Sequence, residues 1–530
     1  MNPRLRSRAL FVAVVFSSAL ISGGWFVQRG LIGTAGGRTD NRRMYEEVFQ
    51  HVARDFVDTL PDSTLYQHTV DGLLGELHDP HTAYLTPARL ARLSESTTGR
   101  YAGIGISIDV RDGWITVVAP LPGGPALDVG IETGDRIVEL DGKPTHDWTR
   151  EEAQKALRGV PGSEVKLVVE RPGVQARLPF TLRRREIRVR SAPHALLLGN
   201  GVGYVDLTVF SEQSAADLRR SIDSLRGVGM RGLILDLRAD PGGLLDQGVA
   251  VSDLFLNPGQ RIVSMRGRTA DANRDFADRA PQPWPQLPVA VLIDSMSASA
   301  SEIVAGALQD HDRALLVGAP TYGKGSAQSL FAMPTGGALK LTTALWYTPS
   351  GRSINKRRDG PLEDGERPTE NAVTKAPRFK TDGGRTVLGG GGITPDVAVP
   401  APAISAQERA FEQALGGHIP QFRDALTDYA LTLRGTRGVT SPSFVVTPEM
   451  HAALFERMQK RGITMTRATY DAVPGLVDRL LGLEVARYVF GESAQFERRL
   501  RSDSTIAAAV RLVSGASSPG DLVARGTKGK

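Results

Sequence analysis

Residues 288–310 read PVAVLIDSMSASASEIVAGALQD, and this stretch decides the fold. Val289 to Ile293 is a continuous apolar run, as expected for a strand buried on both faces. A small-residue turn follows, with serines at 297, 299 and 301, and EIVAGALQD then has the composition of a helix. Outward from this unit, GLILDLRAD (232–240) and ALLVGAP (314–320) are two more apolar runs. SAADLRRSIDSLRG (214–227) is an amphipathic helix ahead of them. Alternation of this kind predicts an α/β core over residues 184–402, with a central sheet and helices on both faces.

The rest of the 530 residues predicts an α/β and α+β multidomain chain. Residues 1–27 carry Arg4, Arg6 and Arg8 ahead of an apolar run from Ala9 to Val27, which reads as a signal peptide or membrane anchor. The positive flank places everything beyond it outside the cytoplasm. Residues 28–40 form a Gly-rich linker. Residues 41–97 are an N-terminal helical segment, in which Tyr45, Val48, Phe49 and Val52 recur at helical spacing. Residues 98–183 are β-rich, with five or six short strands and two short helices. Within the core, residues 355–392 turn to Arg, Asp, Gly and Pro and are expected to be a mobile insertion. Residues 403–515 are a helical extension, and 516–530 are expected to be disordered.

Composition removes several chemistries. There is no cysteine, so disulfides, thiolate zinc sites and thiol nucleophiles are excluded. None of the nine histidines forms an H-E-x-x-H pair, and no metal or organic cofactor is implied. The net charge of +6 is small for this length and spread over both signs, so no nucleic-acid footprint is expected.

Three segments carry candidate chemistry. The serines at 297, 299 and 301 fall at the start of a helix, where backbone N–H groups and the dipole favour developing negative charge. The same residues, Ser299 to Glu302, also fit a capping box. Lys324 lies between Gly323 and Gly325 after a buried strand, where burial would free its lone pair to act as a base. The alternative is an exposed turn lysine. Gln328, four residues on, would share its face. LRADPGG (237–243) allows a tight turn whose N–H groups face outward, or is simply a turn.

Three rival chemistries read poorly. Gly318 to Lys324 spells G-x-x-x-x-G-K, but Gly325 replaces the Ser or Thr of a nucleotide-binding loop. Two S-x-x-K matches, at Ser353 and Ser163, have no K-T-G to follow them. A Ser-His-Asp site has only His311 near Ser299 in sequence.

Taken together, LDLRADPGGLLD, SASASEIVAGALQD, YGKGSAQ, LKLTTALWYTPSGRSI and GITPDV resemble the carboxy-terminal processing, or tail-specific, proteases. HDPHTAYL and GIGISI with PGGPALDVGIETGDRIVELDGKPT fit the same family, so the resemblance spans about residues 41–400. It implies a serine endopeptidase with Ser299 as nucleophile, Lys324 as general base and Gln328 supporting the lysine. It also implies an oxyanion hole from Gly242, Gly243 and Ala300, and a contribution from Asp310. The β-rich domain then resembles a PDZ module. Gly103, Ile104, Gly105 and Ile106 are its peptide-binding loop, and Arg158 is a candidate sensor of bound peptide. The expected partners are proteins with free, apolar C-termini. A membrane contact through the N-terminal segment and homo-oligomer contacts through the helical segments are also expected, in the bacterial cell envelope. The rival from another class is a catalytically silent PDZ scaffold. The insertion and the helical extension depart from the minimal family pattern.

Overall fold

The computed structural model describes residues 38–356 and 376–527. The expected signal or anchor segment lies outside them, as do residues 357–375 of the expected insertion. The chain divides into two compact units, up to Tyr84 and from Leu85 onward.

The first unit contains α1 (Arg38–Asp55) and α2 (Asp62–Gly75). Phe49 stacks on Tyr66 with ring centroids 4.5 Å apart. Met44, Val48, Phe56 and Leu73 nevertheless remain more than half exposed.

The second unit begins with α3 (Pro87–Thr98) and the β-rich domain. Strands β1 (Ile106–Arg111), β2 (Trp114–Pro120), β3 (Arg136–Leu140), β4 (Glu164–Glu170) and β5 (Leu178–Arg183) pair in that order, all antiparallel. In β4, Val165, Leu167 and Val169 are buried while Glu164 and Lys166 are exposed, the alternation of a sheet with one wet face. Helix α4 (Arg150–Leu157) opens with a capping box between Thr149 and Glu152 and buries Ala153 and Leu157 against this sheet.

The core sheet runs β6 (Ala195–Leu197), β7 (Val202–Asp206), β8 (Gly232–Asp236), β10 (Val289–Ile293), β11 (Leu315–Gly318) and β14 (Val397–Ala398). All pairings are parallel except that of the edge strand β6. Strand β9 (Arg261–Gly267) and the hairpin β12 (Ser326–Ala332) and β13 (Ala338–Tyr347) belong to a second sheet. In β7, β8, β10 and β11 both faces are buried. Val205, Leu233, Leu235, Val291 and Leu316 pack under helices α5 (Ser214–Gly227), α6 (Leu245–Asp253) and α7 (Ala300–Asp310). Tyr204, Ile234, Ala290, Leu292 and Val317 face the other way.

That second face is covered by the end of the chain. From α9 (Glu492–Arg501), α10 (Ser504–Ser514) and α11 (Pro519–Thr527), residues Phe496, Leu500, Ile506, Ala509, Val513 and Leu522 pack on it. The expected disorder of residues 516–530 is therefore corrected over 519–527. Ser518 Oγ accepts from Asp521 N–H at 3.2 Å, and Leu522 is fully buried. The polar, Gly-rich composition hid a helix whose apolar partner is a sheet far back in the sequence. The remainder of the extension, including α8 (Ile419–Thr436), has its own core and reaches the β-rich domain. There Arg111 Nε donates to Thr427 Oγ1 at 3.1 Å and Arg461 pairs with Asp112.

The expected mobile insertion is also corrected in part. Residues 378–380 and 386–388 form a hairpin, and Arg385 beside it pairs with Asp312 and Asp396. Gly390 and Gly392 donate to Ser353 O and Ile354 O. The charged composition that suggests a solvated loop is here spent on ion pairs.

Candidate active site

The turn after β10 ends at Ser299, which sits ahead of α7 with φ 56° and ψ −113°. A left-handed φ at a residue with a side chain is strained, and such strain persists only where the surroundings hold it. Two flanking serines help to hold it. Ser297 Oγ donates to Leu237 O at 2.8 Å and Ser301 Oγ donates to Asp240 O at 3.0 Å. Both hydroxyls stitch the turn to the segment leaving β8. Of the serines at 297, 299 and 301, the first and last are thus committed to the backbone.

The strongest clamp is Glu302, which is fully buried. Its Oε2 accepts from Ser299 N–H at 2.8 Å and from Lys324 N–H at 2.9 Å. Its Oε1 accepts from Thr321 Oγ1 at 2.6 Å and Gly323 N–H at 2.7 Å. The backbone nitrogens of Ser299 and Lys324 therefore lie within two hydrogen-bond lengths of each other. Burial pushes the Glu302 carboxyl above its usual range, opposed by these donors, which favour the charge. The sequence identified Glu302 only as a capping residue. Its reach to the G-K-G loop depends on β10 and β11 being neighbours, which spacing does not reveal.

The LRADPGG turn closes on the same point. Gly242 has φ 92°, and a Cβ there would sit 2.8 Å from Ala300 N and 2.9 Å from Ser299 Cβ. Only glycine fits so near. A Cβ on Gly243 would lie 2.2 Å from Phe210 O. Gly242 N–H donates to Asp240 Oδ1 at 2.8 Å, so it is already spent. Among the described residues, neither Gly243 N–H nor Ala300 N–H has a recorded acceptor. The expectation that all three amides line an oxyanion hole thus narrows to two available donors.

Gln328 is half-buried in β12, just after a register shift at Ala327, and the exposed end of the strand begins at Leu330. Its Nε2 donates to Ser326 Oγ at 3.0 Å and Thr342 Oγ1 at 3.2 Å. Asp310 lies at the opposite end of α7, about 16 Å along the helix from Ser299. It is buried and accepts from Arg352 at 2.7 Å and from Ser350 N–H at 3.0 Å. Its place is in a buried ion pair, away from the Ser299 turn. His311 is at that far end too, bonded to Asp382 and to Arg261 O, so it supplies no base to Ser299.

In the β-rich domain, Ile104 is buried and Gly105 takes φ 71°. A Cβ at Gly105 would approach Gly124 Cα to 2.9 Å, so this loop also requires glycine. The loop opens a groove between β1 and α4, lined by Ile104, Ile106, Ile108, Gln154 and Leu157. Arg158 lies at the end of this groove, over the Tyr101 ring and paired with Glu95 of α3. A groove between an edge strand and a helix is the geometry that accepts a peptide as an added strand.

Comparison with known proteins agrees with this architecture. Residues 201–364 match the model of peptidase family S41, and residues 93–170 match that of the PDZ domain. A carboxy-terminal-processing protease of Bartonella bacilliformis is 37% identical over 356 residues, covering 66% of this chain and 80% of that protein. A carboxy-terminal processing protease of Bacillus subtilis is 31% identical, covering 61% and 68% respectively. Among solved structures, the photosystem II D1 C-terminal processing protease is 25% identical with a TM-score of 0.37, covering 70% of this chain and 90% of that one. With the strained serine turn and the peptide groove already in view, the family-model match and the Bartonella and Bacillus relatives make the chain a serine peptidase and a member of the carboxy-terminal processing protease family.

Proposed function

We propose that this protein captures unstructured, apolar C-terminal tails in its PDZ groove and cleaves the attached chain with a Ser299–Lys324 dyad. The observation that carries this reading is the single Glu302 oxygen receiving the N–H groups of both residues. It holds the two backbones close enough for their side chains to meet. Uncharged Lys324 takes the proton from Ser299 Oγ, which attacks the scissile carbonyl. Gly243 N–H and Ala300 N–H receive the oxyanion, in the manner of preorganised amide donors elsewhere. The ammonium of Lys324 then protonates the leaving amine. Water, activated by the same lysine, hydrolyses the acyl-enzyme. Gln328, anchored by Ser326 and Thr342, supports the position of the lysine loop. Arg158 exchanges its Glu95 partner for the carboxylate of a bound tail.

The arginine-flanked apolar segment at residues 4–27 supports export across, or anchoring in, a bacterial inner membrane, with the enzyme working on the outer side. The exposed apolar residues of α1 and α2 support a subunit contact through the N-terminal helices. The test is proteolysis of an unfolded protein with and without an added apolar tail. The intact enzyme cleaves the tailed form faster, and Ser299→Ala and Lys324→Ala both abolish cleavage. Equal rates for the two substrates would remove the PDZ role, and cleavage by either variant would remove the dyad.

A further inference from the structure

Asp240 is fully buried in the turn between β8 and the PGG segment. Its backbone carbonyl accepts from Ala298 N–H and Ser301 Oγ, both at 3.0 Å, which locks it against the nucleophile turn. Its side chain reaches two residues on, where Oδ1 accepts from Gly242 N–H at 2.8 Å. The other oxygen, Oδ2, is buried and has no hydrogen-bond partner. An ionised carboxylate in that place leaves a buried charged oxygen with no donor from the protein. Burial accordingly pushes the Asp240 pKa up to about 8, although the Gly242 N–H pulls the other way.

The charged groups around it are otherwise engaged. Arg238, on the same turn, is bonded to Asp236 and Asp503. Asp294, after β10, accepts from Ala239, Met296 and Ser297 N–H. Glu302 of α7 holds Ser299, Thr321, Gly323 and Lys324. Neither Arg238 nor Lys324 donates to Asp240 Oδ2.

We propose that Asp240 is a positioning residue for the oxyanion hole that works only as the neutral acid. By holding Gly242 N–H it fixes the turn that leaves Gly243 N–H available beside Ala300 N–H, and its ionisation sets the alkaline limit of cleavage. A carboxylate formed here places negative charge on the Gly242 N–H, next in the chain to the Gly243 donor, so it opposes the transition state and leaves substrate binding alone. The proposal rests on Ser299 as nucleophile and on the two-donor hole.

The test measures kcat and KM against pH for the full chain, with fluorescein-labelled casein as substrate. The wild type is expected to lose kcat reversibly above about pH 8, at constant KM. Asp240→Asn keeps an acceptor for Gly242 and cannot ionise. It is expected to hold its kcat into the alkaline range and to exceed the wild type there by roughly tenfold. Asp240→Ala loses the clamp and is expected to lower kcat about 10- to 100-fold at every pH, with KM near the wild-type value. An Asp240→Asn enzyme with the wild-type alkaline limb overturns the proposal. So does a wild type whose kcat stays level to about pH 10, a result that needs no variant to fold. Cleavage surviving in Ser299→Ala instead overturns the nucleophile assignment beneath it.

Discussion

The backbone N–H groups of Ser299 and Lys324 donate to one and the same oxygen, Glu302 Oε2, at 2.8 and 2.9 Å. Ser299 starts a helix after β10, and Lys324 lies in the loop after β11. Parallel strands that neighbour each other bring their C-terminal ends together, which is where ligand sites in such sheets form. Glu302 turns that general convergence into a specific distance.

The first prediction concerns that carboxylate. Glu302→Gln replaces one acceptor oxygen with an NH2 that faces donors already in place, so at least one pair of hydrogen bonds is lost. The loss falls on the geometry between Ser299 and Lys324. We expect kcat to fall about 100-fold with KM little changed, and stability to drop by about 1–3 kcal/mol. Steady-state cleavage and urea unfolding check both. A KM effect alone would assign Glu302 to substrate binding.

Gly242→Ala places a methyl group 2.8 Å from Ala300 N at a φ of 92°. The backbone must shift, and the amide of Ala300 with it. Activity is expected to fall at least 100-fold, because a displaced oxyanion donor costs about that much. A folded variant with wild-type activity would show that Ala300 N–H has no part in catalysis.

Asp310 and Arg352 form a buried pair, with burial lowering the Arg352 pKa against the nearby carboxylate. Removing one partner strands the other. Asp310→Ala is expected to cost about 3–5 kcal/mol of stability. The folded fraction should keep its kcat, because α7 separates this pair from Ser299 by its whole length. Thermal melts together with active-site titration distinguish this from a catalytic role, which would spare stability and reduce kcat.

Asp240 also links pH to stability. Its folded-state pKa, about 8, lies above the ordinary carboxylate value. Between about pH 4 and pH 8 the folded chain keeps a proton that the unfolded chain releases, so this group's contribution to stability declines as pH rises and levels off above 8. The stability advantage of Asp240→Asn over the wild type should therefore widen across that window and then stay constant. Chemical denaturation at several pH values measures it, and a constant difference would mean that Asp240 is already ionised at neutral pH.

The sheet strands were legible because apolar runs such as GLILD and VAVLI can lie only between two covered faces. What covered the second face was not. Leu522 and Ile506 reach it from hundreds of residues away, and no local pattern announces such a partner. The Ser299 turn was legible through its small residues and helix start, and the glycines of PGG and GIGI marked close approaches that the backbone now explains. Glu302 and Asp240 were not singled out as site residues. One matched a helix cap and the other a turn aspartate, and both readings are locally correct. Their further roles exist only once β8, β10 and β11 are side by side.

In the proposed mechanism the hydroxyl of Ser299 is activated by Lys324. This activation is tested most directly by labelling with a fluorophosphonate probe and locating the adduct by mass spectrometry, alongside casein cleavage. The adduct is expected on Ser299 in the intact enzyme, and neither adduct nor cleavage in Lys324→Ala. An adduct at wild-type rate in Lys324→Ala, or one on another serine, would contradict it.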